Sequence, residues 1–228
     1  MTIRELEALI AEAVNDVELR PEEIPAIDLY LDQITSLVAE KQKQGAERFE
    51  ERALTKTMIN NYSKDGLLTP IKGKKYSKEH ILQMLLVYEM KNTLSIGEIK
   101  RVLQSIYSLP DYSPALLERI YVRYVGVKEE ERRGMRELVA LLMEQNSLSV
   151  DGEEDLAALI LSLSAMSSYL KTVVQLLIEV NCPDLDEERA AREREKKEEA
   201  KRRRAEQKAE KKNVKEKDGR GTAKEEEA

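Results

Sequence analysis

The apolar residues of this chain recur every three or four positions, and no stretch alternates apolar and polar residues with the period of a β-strand. Spacing of three and four places side chains on one face of an α-helix. Leu, Ala, Glu, Lys and Arg dominate the composition, Trp is absent and there is one Phe, so little favours a sheet. The sequence therefore predicts an all-α fold.

Capping residues indicate where several of these helices begin. Thr2 with Glu5, and Ser95 with Glu98, form capping-box patterns. Ser113 before Pro114 is typical of an N-cap followed by proline in the first turn. A further helix is predicted from Asp28, and another over residues 135–143.

The longest apolar segment runs from Glu153 to Val180. It is apolar on nearly every side, which is typical of the central helix of a bundle. A membrane span is the alternative, but serines, Lys171 and Gln175 interrupt the segment, and we expect no window of about 20 predominantly apolar residues. We therefore predict a soluble core helix, no membrane contact, and a homodimer formed through this apolar surface.

The composition changes to mixed Lys, Arg and Glu from Asp184 onward, with almost no residue able to pack in a core. After Pro183 there are sixteen basic and fifteen acidic residues. The basic cluster at 201–204 could contact nucleic acid, but the balanced charge favours a solvated tail, either helical or disordered.

Charge is distributed unevenly before this tail. Between residues 52 and 104, ten Lys/Arg stand against four acids, a local net charge of +6; since the whole chain carries −6, the remainder carries −12. A basic segment on an acidic protein is expected of a local phosphate-binding surface, although solvated lysines of any helical domain give the same count.

Several kinds of site are disfavoured by the residue inventory. His80 is the only histidine and Cys182 the only cysteine, so catalytic triads and His/Cys metal clusters have no residues to form them. We expect no enzyme, no catalytic or metal site and no cofactor. The first residues lack the apolar core of a signal peptide, which favours a cytoplasmic location.

The tyrosines at 107, 112, 121 and 124 either line an effector pocket or pack in a core, and packing is the more common role.

The segment from Leu54 to Tyr62 carries the candidate functional residues. With Thr55 as its cap, the helix turns its apolar residues inward, and Gly66 allows a left-handed C-cap. Its outward residues suit a DNA major groove, because amides can pair with adenine edges while lysine and threonine contact phosphates. These outward residues are Lys56, Thr57, Asn60, Asn61 and Lys64.

A short basic turn follows from Thr69 to Tyr76. Its composition is typical of a wing that lies along a phosphate backbone, and such a wing can contain a short β structure. The candidate contacts in this wing are Lys72, Lys74, Lys75 and Tyr76.

The order of these motifs resembles the winged helix-turn-helix of MerR-family transcription regulators over residues 54–103. That family has a Thr-Leu/Ile-Arg-Tyr-Tyr-Glu recognition helix, then Gly-Leu-Leu, a wing that ends in Tyr, and Ser-Leu-x-Glu-Ile. Matching segments here are Met58 to Tyr62, Gly66 to Leu68, Lys74 to Ser77, and Leu94 to Lys100. The family's Arg and first Tyr are Asn60 and Asn61 here, its Glu is Ser63, and Thr93 replaces a glycine, so the DNA contacts differ in detail.

Residues 27–107 resemble, more closely, an uncharacterised bacterial family known as domain-of-unknown-function family 1836. That resemblance implies a fold and no reaction. The predicted organisation is an N-terminal helix and linker (1–26), a MerR-like helix-turn-helix domain (27–107), a helical dimerisation or effector domain (108–183) and a charged tail (184–228).

The MerR-like resemblance implies a bacterial regulator that binds double-stranded DNA in a sequence-specific manner. The alternative is a helical protein-interaction adaptor that keeps this fold without binding DNA. The two differ in whether the lysines form one exposed positive face or lie scattered or covered.

Overall fold

A computed structural model describes residues 1–47, 54–71, 73–187 and 190–201. Its contacts divide the chain into two units, residues 1–183 and 184–228. The described part of the first unit is mainly helical, with a 3-10 turn at Pro21–Glu23. Its other elements, in chain order, are α1 (Ile3–Ala13), β1 (Leu29–Tyr30), α2 (Leu31–Gln42), α3 (Lys56–Lys64), β2 (Lys75–Tyr76), α4 (Lys78–Met90), α5 (Ile96–Tyr107), α6 (Pro114–Gln145) and α7 (Glu153–Asn181).

The predicted helix starts are confirmed by the capping hydrogen bonds. Thr2 and Glu5 form the capping box of α1, and Ser95 and Glu98 form that of α5. Ser113 Oγ accepts from the backbone N–H of Leu116, with proline in the first turn of α6. Local side-chain chemistry therefore sets the helix boundaries, as expected of N-caps.

Two local predictions differ from the structure. The helix expected over residues 135–143 is the second half of α6, which continues through the charged run at 129–133. Glu130, Glu131 and Arg133 of that run are exposed, while Arg132 pairs with Asp16 and Glu18. Tyr30, expected inside a helix, ends β1. This strand pairs antiparallel with β2, in the register Leu29 with Tyr76 and Tyr30 with Lys75. The small sheet therefore joins the wing to the chain before α2.

The main core is built around α4, in which every residue from Ile81 to Val87 is buried. Ile59 of α3, Leu117 of α6 and Ile178 of α7 belong to the same hydrophobic cluster. Residues 27–107 and 108–183, which the sequence predicts as separate domains, therefore share one core in the structure.

A charged cluster attaches the segment after α1 to α6. Lys128 Nζ lies 2.5 Å from Glu18 Oε1 and 2.8 Å from Glu89 Oε2, and it also contacts Asp16. Arg132, one turn further along α6, donates to Asp16 at 2.8 Å and to Glu18. Two cations thus hold three carboxylates in a largely dehydrated site, where each charge depends on the others.

The prediction of a buried central helix is wrong for α7. The helix itself is confirmed, but only Leu159 and Ile178 of its residues are buried. Periodicity and length predict a helix, whereas burial depends on neighbours that this helix meets only near its two ends. By length and composition the stretch Glu153–Glu187 could cross a membrane, which also corrects the expectation that no sufficiently apolar window exists.

The second unit, residues 184–228, is described as far as residue 201. Residues 185–187 and 190–201 are helical, and every described side chain from 190 to 201 is exposed. This agrees with the solvated helical form of the predicted tail. Of the basic cluster at 201–204, only Lys201 lies within the described residues.

Candidate nucleic-acid interface

The short helix α3 is anchored by its inner face. Ile59 is fully buried and Tyr62 nearly so, and both belong to the main core. Thr55 caps the helix, its Oγ1 accepting from the N–H of Met58 at 3.2 Å. Burial of the Tyr62 hydroxyl, with Tyr88 nearby, raises the pKa of Tyr62 to about 12. The orientation of α3 is therefore fixed by its apolar side.

The outer face of α3 gathers the five candidate residues that the sequence places there. Lys56, Thr57, Asn60, Asn61 and Lys64 are all exposed, and their spacing of three and four residues puts them in two adjacent rows on one side of the helix. The helix contains no carboxylate. The result is an amide- and lysine-bearing face without a negative charge of its own.

The lysines of this region are also unneutralised by the rest of the described chain. Within residues 1–47, 54–71, 73–187 and 190–201, Lys56, Lys64 and Lys74 form no ion pair with a carboxylate. Several other basic side chains of the same unit do form such pairs, among them Lys41 with Glu23 and Lys78 with Glu118. The positive charge at α3 is thus available to an external anion.

The chain leaves α3 through a turn that is held from three sides. Gly66 adopts φ 70°, a left-handed conformation that favours glycine, and Leu67 N donates to Tyr62 O at 2.9 Å. The Tyr107 hydroxyl donates to Leu67 O at 3.2 Å, and the fully buried Gln83 accepts from Thr69 N at 3.0 Å. The connection from α3 to the wing is therefore fixed by α4 and α5.

The wing residues occupy different environments. Lys74 and Lys75 are exposed, and Lys75 Nζ lies 5.0 Å from the centre of the Tyr30 ring, a cation–π contact across the two strands. Tyr76 is buried, its ring packed edge-on against His80. Tyr76 thus supports the strand from inside instead of facing solvent. Lys72 lies outside the described residues.

His80 caps the start of α4. Its Nδ1 accepts from the backbone N–H of Ser77, the N-cap of α4, at 3.2 Å. The imidazole takes the position that Glu or Gln holds in a capping box. This fixes the end of the wing to α4.

Lys100 is a cation near this surface that sequence reasoning did not assign. A Cβ at Gly66 would lie 3.6 Å from Lys100 Nζ, so the ammonium group sits over the turn at the carboxyl end of α3. The sequence does not predict that Lys100 of α5 lies near Gly66, because the two residues are far apart along the chain. A cation near helix carbonyls is electrostatically favourable.

The tyrosines expected either to line a pocket or to pack are packed. Tyr121 donates to Leu19 O at 2.9 Å, Tyr124 to Glu89 at 3.0 Å, and Tyr107 and Tyr112 meet edge to face. The cavity beside Tyr121 has a volume of about 20 Å³, room for about one water molecule. This cavity is too small for a larger effector.

One carboxylate group has the spacing of a metal site. Asp16, Glu18 and Glu89 each place an oxygen within 4.8 Å of the others. The Lys128 ammonium group contacts all three carboxylates, so it already supplies the positive charge that a metal ion would bring. Sequence reasoning missed this cluster, since its acids lie in the predicted linker and in α4.

Comparison with known proteins identifies a family for part of the chain. Neither the curated proteins nor the solved structures include one that matches the chain. A family described as domain of unknown function (DUF1836) matches residues 19–124, a wider range than the 27–107 that the sequence suggests. The two ends of this range meet in the fold, where the Tyr121 hydroxyl bonds to Leu19 O. The chain therefore carries a DUF1836 domain over residues 19–124.

Proposed function

We propose that this chain is a sequence-specific transcription regulator that places the outer face of α3 in the major groove of double-stranded DNA, in the manner of a MerR-like winged helix-turn-helix. The observation that carries the proposal is the outer face of α3, exposed, carboxylate-free and bearing two amides between two lysines. The B-DNA major groove admits an α-helix, and the oxygen and amino group of a single asparagine amide match N6 and N7 of adenine.

The residues divide into two roles. Asn60 and Asn61 read base edges from the middle of α3, while Lys56 and Lys64 reach phosphates from its two ends. The wing lysines at 72, 74 and 75 contact the neighbouring backbone. Tyr76 holds the wing in place and is left out of the contact surface because it is buried.

The test begins with selection of a preferred site from a randomised duplex library of about 30 base pairs, long enough for two half-sites. Binding of the full chain to the selected duplex and to a scrambled duplex is then measured by fluorescence anisotropy at several salt concentrations. Selection that yields no preferred site contradicts the proposal of sequence-specific binding.

Replacing Asn60 or Asn61 by alanine is expected to cost about 1–3 kcal/mol on the selected duplex if that side chain makes a bidentate adenine contact. The loss on the scrambled duplex should be small, because base contacts carry the sequence preference. Anisotropy on both duplexes measures the difference. Equal losses on the two duplexes would show that these amides do not read bases.

Replacing Lys74 by alanine is expected to weaken binding to both duplexes alike. The slope of log affinity against log salt should fall by about one unit, because one fewer counterion is released. Arg123→Ala is the matched control, since Arg123 is an exposed cation on α6, outside α3 and the wing. If the Asn60, Asn61 and Lys74 variants all bind as the wild type does while folded, α3 does not enter DNA, and the interaction-adaptor function is favoured.

A further inference from the structure

The helix α7 leaves an extended apolar surface uncovered. The most exposed of its apolar side chains are Ile160, Leu161, Tyr169, Leu170, Leu177 and Val180, each at least 58% exposed. Between residues 156 and 178 the only charged residue is Lys171. Apolar surface on this scale marks an interaction site or a membrane contact.

Both ends of α7 are packed against other helices of the first unit. Near its amino end, Leu159 packs in a second cluster with Val139 and Met143 of α6. Near its carboxyl end, Ile178 lies in the main core, and Arg101 Nε donates to Cys182 O at 2.8 Å.

These two attachments argue against a membrane-spanning helix. The 29 residues of α7 extend for about 43 Å, and both ends of that length contact the same unit. A helix that crossed a bilayer would place its ends on opposite sides, which these attachments prevent. The covers left for the apolar surface between them are a second protein surface or the surface of a bilayer.

Helical spacing divides the carboxyl half of α7 into two faces. Lys171, Gln175, Ile178 and Cys182 share the attached face, where Gln175 donates to Glu98 at 2.7 Å. The opposite face carries a stripe with alternating steps of three and four. We call this the outer stripe: Met166, Tyr169, Val173, Leu176 and Val180, flanked by Leu170 and Leu177.

The outer stripe has the spacing of a helix-pair seam. Steps of three and four are those by which a and d residues interlock across two helices. Six of its seven side chains are 51–82% exposed, an apolar surface on the order of several hundred Å², against the about 800 Å² that each partner buries in a stable interface. The stripe lacks charge, so it offers a charged partner no complement and suits an equally apolar surface.

We propose that the outer stripe is a homodimer interface, in which it packs against the same stripe of a second copy of this chain across a twofold axis. A twofold interface uses the same patch on both copies, so a single stripe suffices. Val173 lies at the midpoint of the stripe and therefore next to its own counterpart.

The test is the mass of the full chain by light scattering and sedimentation at about 10 μM, without DNA. The wild type is expected to be a dimer. Val173→Glu should raise the dimer dissociation constant on the order of a hundredfold, since it places two carboxylates in the seam. The matched control is Val127→Glu on α6, where the valine is 52% exposed against 51% for Val173, and it should stay dimeric.

Two further readouts locate the contact. Val173→Cys in a Cys182→Ser background is expected to form an intermolecular disulfide under mild oxidation, while the Cys182→Ser chain alone should not. Flotation with vesicles of phosphatidylcholine and phosphatidylglycerol should leave the protein unbound.

A monomeric wild type, a Val173→Glu variant that stays dimeric while Val173→Cys does not cross-link, or vesicle binding by a monomeric chain would each overturn the proposal. Because these measurements contain no DNA, their failure is distinct from a failure of DNA binding. Both glutamate variants should keep the circular dichroism spectrum of the wild type, since both valines are exposed in the single chain. Val127→Glu should also melt like the wild type, whereas Val173→Glu should melt lower because it loses the stabilisation that dimerisation supplies.

Discussion

Replacing Lys128 by methionine is expected to lower the free energy of unfolding by about 3–5 kcal/mol. The change removes the cation that contacts Asp16, Glu18 and Glu89, while those carboxylates remain within 4.8 Å of each other. Glu18 is the most buried of the three, its side chain 5% exposed. Arg132 then remains paired with Asp16 and Glu18, while Glu89 loses its cation and keeps the hydrogen bond from the Tyr124 hydroxyl. Urea denaturation followed by circular dichroism at pH 7 measures the loss.

Two controls separate charge from packing. Adding Glu89→Gln to the Lys128→Met variant should restore part of the stability, because one of the unneutralised carboxylates is removed. Arg133→Met breaks the exposed pair with Glu130, whose side chains are 67% and 73% exposed, and should cost no more than about 0.5 kcal/mol. If Lys128→Met costs no more than Arg133→Met, the cluster does not stabilise the fold.

The same cluster predicts a dependence on pH. Partial burial opposes ionisation of Asp16, but hydrogen bonds from Arg132 and Lys128 outweigh that burial and hold the pKa of Asp16 below its ordinary value. A lowered carboxyl pKa contributes stability that is present above the ordinary pKa and is lost as pH falls through the lowered one. The wild type should therefore lose stability below about pH 4, and the gap to Lys128→Met should narrow there. A gap that stays constant with pH would indicate lost packing.

Local features of the fold could be predicted because the residues that cause them are neighbours in sequence. Ser95 and Glu98 cap α5 across three residues, and Gly66 supplies the positive φ that ends α3. The outward set on α3 followed from helical spacing alone. Such features need no knowledge of the rest of the chain.

The features that were missed depend on contacts between distant residues. Asp16 and Lys128 are 112 positions apart, and neither carries a local sign that it will meet the other. Tyr76 was placed on the DNA surface because it ends a basic turn, but pairing with β1 turns its ring inward. For α7, the sequence pattern of a core helix and that of an unpartnered interface helix are the same, and only the neighbours distinguish them.

Replacing Ile59 by aspartate is expected to unfold the DUF1836 domain or cost it about 4 kcal/mol or more, because the side chain is fully buried. The variant loses the apolar contacts of Ile59 and places a carboxyl group where α3 meets the core. Circular dichroism should show lost helicity or a much lower melting temperature. A cooperative melt like that of the wild type would show that the inner face of α3 is not packed as described.

The matched variant is Asn60→Asp, which adds the same charge one residue further along α3. Asn60 is exposed, so its stability should stay within about 0.5 kcal/mol of the wild type. Its affinity for the selected and scrambled duplexes should nevertheless fall at least about tenfold, because the new carboxylate lies in the groove, within the negative potential of the flanking phosphates. Ile59→Asp therefore tests whether α3 is anchored, and Asn60→Asp tests whether its outer face meets DNA. If the Asn60→Asp variant is folded and binds DNA like the wild type, the outer face of α3 does not contact DNA. The anchoring of α3 in the core would be unaffected by that result.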